Sequence, residues 1–235
     1  MAVIHQTTKL DYALNQLGTE IVSGVLPAGA TFTLATICER FDISRTVARE
    51  VMRALEQLNL VKSSRRIGLK VLPRSHWSVF DEAIIEWRLR TPGERDHQLR
   101  SLTSLRLAVE PQAARGMAHH GTDEQIEQLL ELSNRLHNLG AAGRANSMEF
   151  LKADVDFHTL ILTCSGNEMF AALAPTVTTV LIGRTELGIQ PHHLPETVLT
   201  GHDALAHAIA VRNPDRAERC ARMLLDEVRD ALDLT

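Results

Sequence analysis

Residues 41–71 read FDISRTVAREVMRALEQLNLVKSSRRIGLKV. Ser44 is a residue type that caps helices, and an apolar helical period starts just after it, so the spacing predicts a helix over 45–58. Val47, Val51, Ala54, Leu55 and Leu58 recur three and four residues apart and form its buried stripe. Arg45, Thr46, Arg49 and Arg53 fall largely on the opposite face. Beyond the helix, Val61 and then Leu69 and Val71 alternate as two short strands do, with residues 63–68 as the tip between them.

Upstream, residues 8–23 (TKLDYALNQLGTEIVS) place Leu10, Leu14, Leu17, Ile21 and Val22 on one stripe, and Gly24 is a natural stop. VLPAGATFT at 25–33 reads as a Pro/Gly turn. LATICERF at 34–41 reads as a short second helix with Ile37 and Phe41 inward, followed by a turn at Asp42-Ile43. Helix, helix, turn, helix, hairpin is the order of a winged helix-turn-helix. Its third helix enters the major groove with its first residues near base edges, while the wing reaches the backbone or minor groove. A basic helix face alone is usually only solvated; the ordered pattern carries the reading.

Downstream, residues 72–75 (LPRS) read as a linker, dividing the chain into a DNA-binding domain at 1–73 and an effector domain at 74–235. From Trp77 onward no strand-like alternation appears. Helical segments run at 78–90, 95–119, 122–138, 147–164, 167–187, 196–212 and 214–233, broken at Pro92-Gly93, Gly121, 140–143, Gly166-Asn167, 188–195 and Asn213-Pro214. Trp77 and Trp87 read as packing residues of the first of these helices, and His119-His120 and His192-His193 as solvated segment ends. The expected fold is mainly α: a winged helix-turn-helix followed by an all-helical antiparallel bundle able to hold a ligand between its helices.

Charge divides the same way. Residues 1–73 carry nine Lys/Arg against six Asp/Glu, whereas the remainder carries 16 against 23 and ten of the eleven histidines. The net charge of −4 therefore hides a basic quarter suited to nucleic acid. Three cysteines make no disulfide framework, the start lacks a signal peptide, and no apolar run approaches the roughly 20 residues that span a bilayer. The expectation is a cytoplasmic protein with no membrane partner.

The 41–71 run resembles the recognition helix and wing of the GntR family of bacterial regulators, whose pattern is V-S-R-T-x-V-R-E-A-L-x-x-L-x-x-x-G-L-V followed by a glycine-bearing wing. The resemblance implies DNA contacts from Arg45, Thr46 and Arg49, with Gly68 letting the wing lie close to the duplex. It departs from the family at Ala35, where the second helix usually carries a DNA-contacting arginine, and at Asn59, which replaces the glycine before Leu60. The helical half is similar to the FCD effector domain of the FadR-type subfamily, in its sugar-acid-responsive branch. LRLAVEPQAA at 105–114, ADVDFH at 153–158 continuing to Ser165-Gly166-Asn167, and GHDAL at 201–205 with Ala208-Ile209 carry that match.

Asp154 and His158 stand one helical turn apart, a spacing that lets two side chains meet one ion but more often makes a surface pair. The resemblance implies that Asp154, His158 and His202 hold a divalent metal. One carboxylate and two imidazoles suit Zn²⁺, the first choice, as well as Mn²⁺, Fe²⁺ or Ni²⁺. Many members add a histidine where this chain has Leu224, so a three-ligand site is expected. Arg106 has two readings: an ion pair with Glu110 one turn on, or a bidentate contact to an effector carboxylate. The resemblance implies a homodimer reading a palindromic double-stranded operator, a repressor, with a small carboxylate such as a sugar acid as effector. The alternatives are a metal-free regulator taking a longer ligand such as an acyl thioester, and a metal-dependent enzyme. The known non-haem iron enzymes with such a triad sit in β-barrels, and this chain shows no nucleophile motif, phosphate loop or GxGxxG, so no enzyme is expected.

Overall fold

The computed structural model describes residues 8–64, 68–186, 188 and 195–233. The wing tip at 65–67 and His192-His193 lie outside them. Contacts divide the chain into two compact units, one ending at Asp96 and one starting at His97.

In the first unit, α1 (Lys9–Val22) opens with a capping box: the Asp11 amide donates to Thr8 Oγ1 at 3.1 Å, and the Thr8 amide donates to Asp11 Oδ2 at 3.2 Å. Helix α2 (Leu34–Phe41) is capped by Thr33 and ends at Asp42 with φ 47°, a left-handed residue that turns the chain toward the next helix. Helix α3 (Arg45–Gln57) is capped by Ser44, as its sequence predicts. Its fully buried positions are Ala48, Val51 and Leu55; Val47 and Ala54 are only half buried.

Strands β2 (Val61–Ser64) and β3 (Gly68–Val71) form the wing. A third strand, β1 (Thr31–Phe32), pairs with the far edge of β3, so the order is β1-β3-β2, all antiparallel. The sequence reading placed β1 inside a turn, because two residues are too few to show alternation. Gly68, φ 94°, sits where β1 crosses β3, and a Cβ there would stand 2.5 Å from the Phe32 carbonyl oxygen. Asn59 adopts φ 55°, a conformation asparagine tolerates, and its side chain donates to Ser78 Oγ at 3.0 Å. That accounts for an asparagine where the family pattern has glycine.

Helix α4 (Glu82–Arg90) packs against α1 and closes this core. Trp87 is buried over Gly18 and donates its indole N–H to Asn15 Oδ1 at 2.8 Å; Trp77 donates to the Leu72 carbonyl at 3.0 Å. Both tryptophans are packing residues, but of the N-terminal core. The compact unit therefore runs past the division expected after residue 73. Polar-patterned helices reveal that they bury a face, not which core receives it. Helix α5 (Pro92–His120) follows. Pro92, read as a break, is its first residue, where proline's missing N–H costs nothing.

The second unit is all helix: the rest of α5, then α6 (Asp123–Ala141), α7 (Met148–Thr163), α8 (Glu168–Ala172), α9 (Ala174–Glu186), α10 (Glu196–Ala210) and α11 (Pro214–Asp233). The expected 167–187 segment divides at Leu173 into α8 and α9. Helix α7 packs between α6 and α9, and α10 between α6 and α11. Met117, Leu129, Leu136, Phe157, Ile161 and Leu162 are buried at the centre. Among the described residues, no helix is long and apolar enough to cross a membrane.

Gly18→Ala tests the α1–α4 seam. Alanine favours a helix by about 1 kcal/mol over glycine. Its methyl would press into the Trp87 ring, which has no flexible end to yield, and overpacking of this kind typically costs about 1–3 kcal/mol. The clash should win, lowering the urea midpoint. A midpoint equal to or above wild type would mean that Trp87 is not seated on Gly18.

Candidate functional site

The first unit presents a basic face. Arg45, Thr46 and Arg49 are exposed on the opening turns of α3, the end held in place by the Ser44 cap. Among the described residues neither Arg45 nor Arg49 makes an ion pair, whereas Arg53 on the same helix is held by Glu50 at 2.8 Å. Ala35, at the start of α2, is exposed and offers no polar group. The wing adds two residues that the sequence reading passed over. Lys62 and Lys70 are exposed and directly opposite one another in the β2–β3 register. Like charges directly opposite across a strand pair destabilise it, an arrangement that an anionic partner such as a phosphate backbone would relieve. Only the register reveals the pair, since the lysines lie on either side of the tip.

The second unit contains a buried row of charged and ionisable groups. Helix α5 supplies Arg106 and Glu110, α7 supplies Asp154 and His158, and α10 supplies His202. Arg106, Glu110, His158 and His202 are each at most 4% exposed. Arg106 Nε donates to Glu110 Oε1 at 2.5 Å, and Glu110 Oε2 lies 2.6 Å from His158 Nδ1. On the other side of its ring, His158 Nε2 is 3.4 Å from Asp154 Oδ1 and 3.2 Å from Arg106 Nη2. His202 Nε2 is 3.3 Å from the same Asp154 oxygen. Phe157 sets its ring edge-on to both imidazoles, at 5.4 and 5.2 Å.

The hydrogen-bond accounting is incomplete here. His202 Nδ1 lies 2.9 Å from the Val198 carbonyl, a pure acceptor, so that nitrogen carries a proton and Nε2 is the ring atom turned toward Asp154. Asp154 Oδ1 and His202 Nε2 are both buried and without a hydrogen-bond partner. The 2.6 Å approach of His158 Nδ1 to Glu110 is an ion-pair distance without hydrogen-bond alignment. Buried polar atoms left without a partner are costly.

Burial works against the Glu110 carboxylate, but Arg106 and His158 hold its pKa down at about 2. Burial likewise opposes ionised Asp154, and the two facing imidazoles keep its carboxyl well below the usual range. Burial depresses His158, but Glu110 foremost and then Asp154 outweigh it and raise its pKa to about 9.

The structure thus brings Asp154, His158 and His202 together, with ligand atoms all within 4.8 Å of one another. The set fits a metal. Two donors each about 2.0–2.1 Å from one ion stand roughly 3.3 Å apart at a near-tetrahedral angle. Arg106 belongs to the same cluster and is paired with Glu110. The sequence reading saw that pair as an alternative partner for Arg106, but not that Glu110 also faces His158. Nothing in linear spacing links 110 to 158. Leu224 of α11 lies against the next turn of the pocket: a Cβ at Gly201 would meet its Cδ1 at 3.0 Å.

Comparison with known proteins agrees with both halves. The model of the bacterial regulatory proteins of the gntR family matches residues 12–71, and the FCD domain model matches residues 101–227. The chain is 29% identical to the galactonate operon transcriptional repressor of Escherichia coli K12, over 97% of this chain and 98% of that protein. It is 27% identical to the HTH-type transcriptional repressor NanR of the same organism, over 80% and 70% of the two chains. Among solved structures, Lar of Listeria monocytogenes superposes with a TM-score of 0.65 at 12% identity, covering 97% of each chain. A GntR protein of Streptococcus agalactiae superposes at 0.51 with 23% identity, covering 94% and 99%. These likenesses show the fold. The chain belongs to the GntR family of bacterial regulatory proteins, in the branch with an FCD domain, and is a transcription regulator rather than an enzyme.

Proposed function

We propose that this chain is a homodimeric repressor whose grip on a palindromic operator is altered by a small hydroxycarboxylate of the sugar-acid class. The effector binds beside a divalent metal, Zn²⁺ foremost, held by Asp154, His158 and His202. The observation that carries the reading is the facing pair of buried polar atoms, Asp154 Oδ1 and His202 Nε2, 3.3 Å apart and without a hydrogen-bond partner. A cation between them satisfies both.

Charge extends the argument to the ligand. Without metal, the cations Arg106 and His158, whose pKa is raised to about 9, balance the carboxylates of Glu110 and Asp154. A divalent ion that displaces the His158 proton leaves one positive charge in excess, which favours a monoanion in a buried site where an unpaired charge is expensive. When bound, the metal supplies a Lewis-acidic point that a carboxylate and a neighbouring hydroxyl chelate together. The residues do the rest. Glu110 and the Val198 carbonyl orient the two imidazoles from their far nitrogens, as outer partners of metal-bound histidines do. Phe157 keeps water from the rings. Likeness to the galactonate operon repressor over nearly the whole chain supports a sugar acid as effector. To regulate, the effector must bind one arrangement of the two DNA-binding units better than another.

The DNA face and the pocket are tested separately. Arg45→Ala and Arg49→Ala should each weaken operator binding by about 1–3 kcal/mol if they bond guanine bidentately. Lys70→Gln should weaken all sequences alike and reduce the salt dependence of binding by about one counterion. It should also stabilise the fold by a few tenths of a kcal/mol by relieving Lys62. Operator affinity and salt slope unchanged in all three variants, with folding intact by circular dichroism, would place DNA elsewhere.

For the pocket, protein purified without chelator should carry close to one divalent ion per chain by mass spectrometry, and His158→Ala or His202→Ala should lose most of it. D-galactonate at 100 times its dissociation constant should add about 2.7 kcal/mol of stability, and only before chelator treatment. Stabilisation by galactonate that survives metal removal would overturn the metal half of the reading. Stabilisation by acyl thioesters alone would overturn the effector half.

A further inference from the structure

One contact in the pocket is not explained by holding a metal. Arg106 Nη2 lies 3.2 Å from His158 Nε2, the nitrogen the metal reading needs as a ligand, while Nε of the same guanidinium bonds Glu110. A guanidinium carries only donors. In this arrangement it therefore stands on the side of the ring from which an ion would approach. An ion ligated by His158 must come closer to Nε2 than 3.2 Å, and two cations cannot occupy that edge of the ring together. We propose that Arg106 gates this site: its Nη2 end occupies the metal's approach to His158 and must swing away before the ion is held, which frees it to receive the effector's carboxylate. The gate rests on the metal reading above and adds an order to it, metal first and effector second.

The geometry supplies the hinge. The Nε–Glu110 bond of 2.5 Å anchors the near edge of the fork, and both partners are buried at 3% exposure. The far edge reaches across from α5 to α7. The guanidinium is rigid and planar, so the whole fork pivots about its short Nε contact and gives up only the long Nη2–Glu110 Oε2 contact of 3.5 Å, while Glu110 still lies 2.6 Å from His158 Nδ1. Because the freed nitrogen is the one offered to the effector, metal and effector each favour the turned-out state. Each must then raise the affinity of the other by the same factor.

Lysine at position 106 keeps the charge and can still pair with Glu110, but it has no second nitrogen to reach His158. Glutamine removes the charge as well. Metal-stripped wild type, Arg106→Lys and Arg106→Gln are titrated with Co²⁺ alone, following the visible bands of the bound ion, with thermal melts to confirm folding. If contact gates the site, both variants bind Co²⁺ about tenfold tighter than wild type, the worth of one hydrogen bond to a charged group. Tightening in Arg106→Gln alone would reduce the effect to charge repulsion and overturn the gate. So would affinities equal to or below wild type in both variants. Co²⁺ bound by wild type with no gain in Arg106→Lys removes the gate and leaves the metal site standing. Co²⁺ bound by none of the three removes both. The unmutated chain offers an independent check should the variants unfold. Adding Zn²⁺ should shift the Nη resonances of Arg106 in nitrogen-15 spectra while leaving its Nε–H protected; an unmoved Nη signal in Zn²⁺-loaded protein would sink the proposal.

Discussion

The second unit is organised around the need to neutralise charge that its helices bury. Arg106, Glu110, His158 and His202 are nearly inaccessible, and Asp154 is 13% exposed at its side chain. Burying an isolated ion costs many kcal/mol, so such groups exist only as a set in which each answers its neighbours. Arg106 answers Glu110, Glu110 answers His158, and Asp154 faces both imidazoles. Three helices distant in sequence are thereby held at one point, with Phe157 edge-on to both imidazoles. A small change in what occupies the centre alters the charge seen by α5, α7 and α10 together. That is the property a sensor requires.

The first unit makes the opposite choice and leaves charge exposed. Arg45 and Arg49 make no ion pair among the described residues although Glu50 lies within the same helix, and Lys62 faces Lys70 across the wing. Glu20 on α1 and Arg40 on α2 are paired, as are Lys9 and Asp42. The unit thus neutralises charge where it supports α1 and α2 and withholds neutralisation at the opening of α3 and on the wing. Proteins commonly break local rules of stability on surfaces that meet another molecule, and the proposed DNA face fits that pattern.

Much of this was legible in the sequence because the signals were local. The Ser44 cap and the three-four spacing of α3 are properties of adjacent residues, and so are the i, i+4 placement of Asp154 with His158 and the glycine breaks between bundle helices. What escaped were relations across the chain. Strand β1 is two residues long and exists only because β3 offers it an edge. Trp87 joins the N-terminal core because Gly18, nearly seventy residues earlier, leaves room for an indole. Gly68 was read as an accommodation to DNA, and its φ of 94° and the crowding against Phe32 O show a requirement internal to the sheet. The convergence of Glu110 on His158 likewise belongs to the packing of α5 on α7, which no spacing rule contains.

The departure at Leu224 gains meaning from its neighbour. Where the family pattern implies a further histidine on the last helix, this chain carries leucine. That leucine rests on Gly201, the residue before His202, whose missing side chain leaves it space. A side chain on Gly201 would crowd Leu224. Under the proposed function, leucine in place of the histidine leaves three protein donors for the metal and an apolar residue on the side of α11. An ion held by only three protein donors has positions left for oxygen atoms of a ligand. Under the proposed function, a sugar acid that supplies a carboxylate and a hydroxyl would fill positions that a histidine takes in many relatives. The effector would then complete the metal's coordination as well as being bound by it, and the two affinities would be tied more closely than where the protein provides the full set.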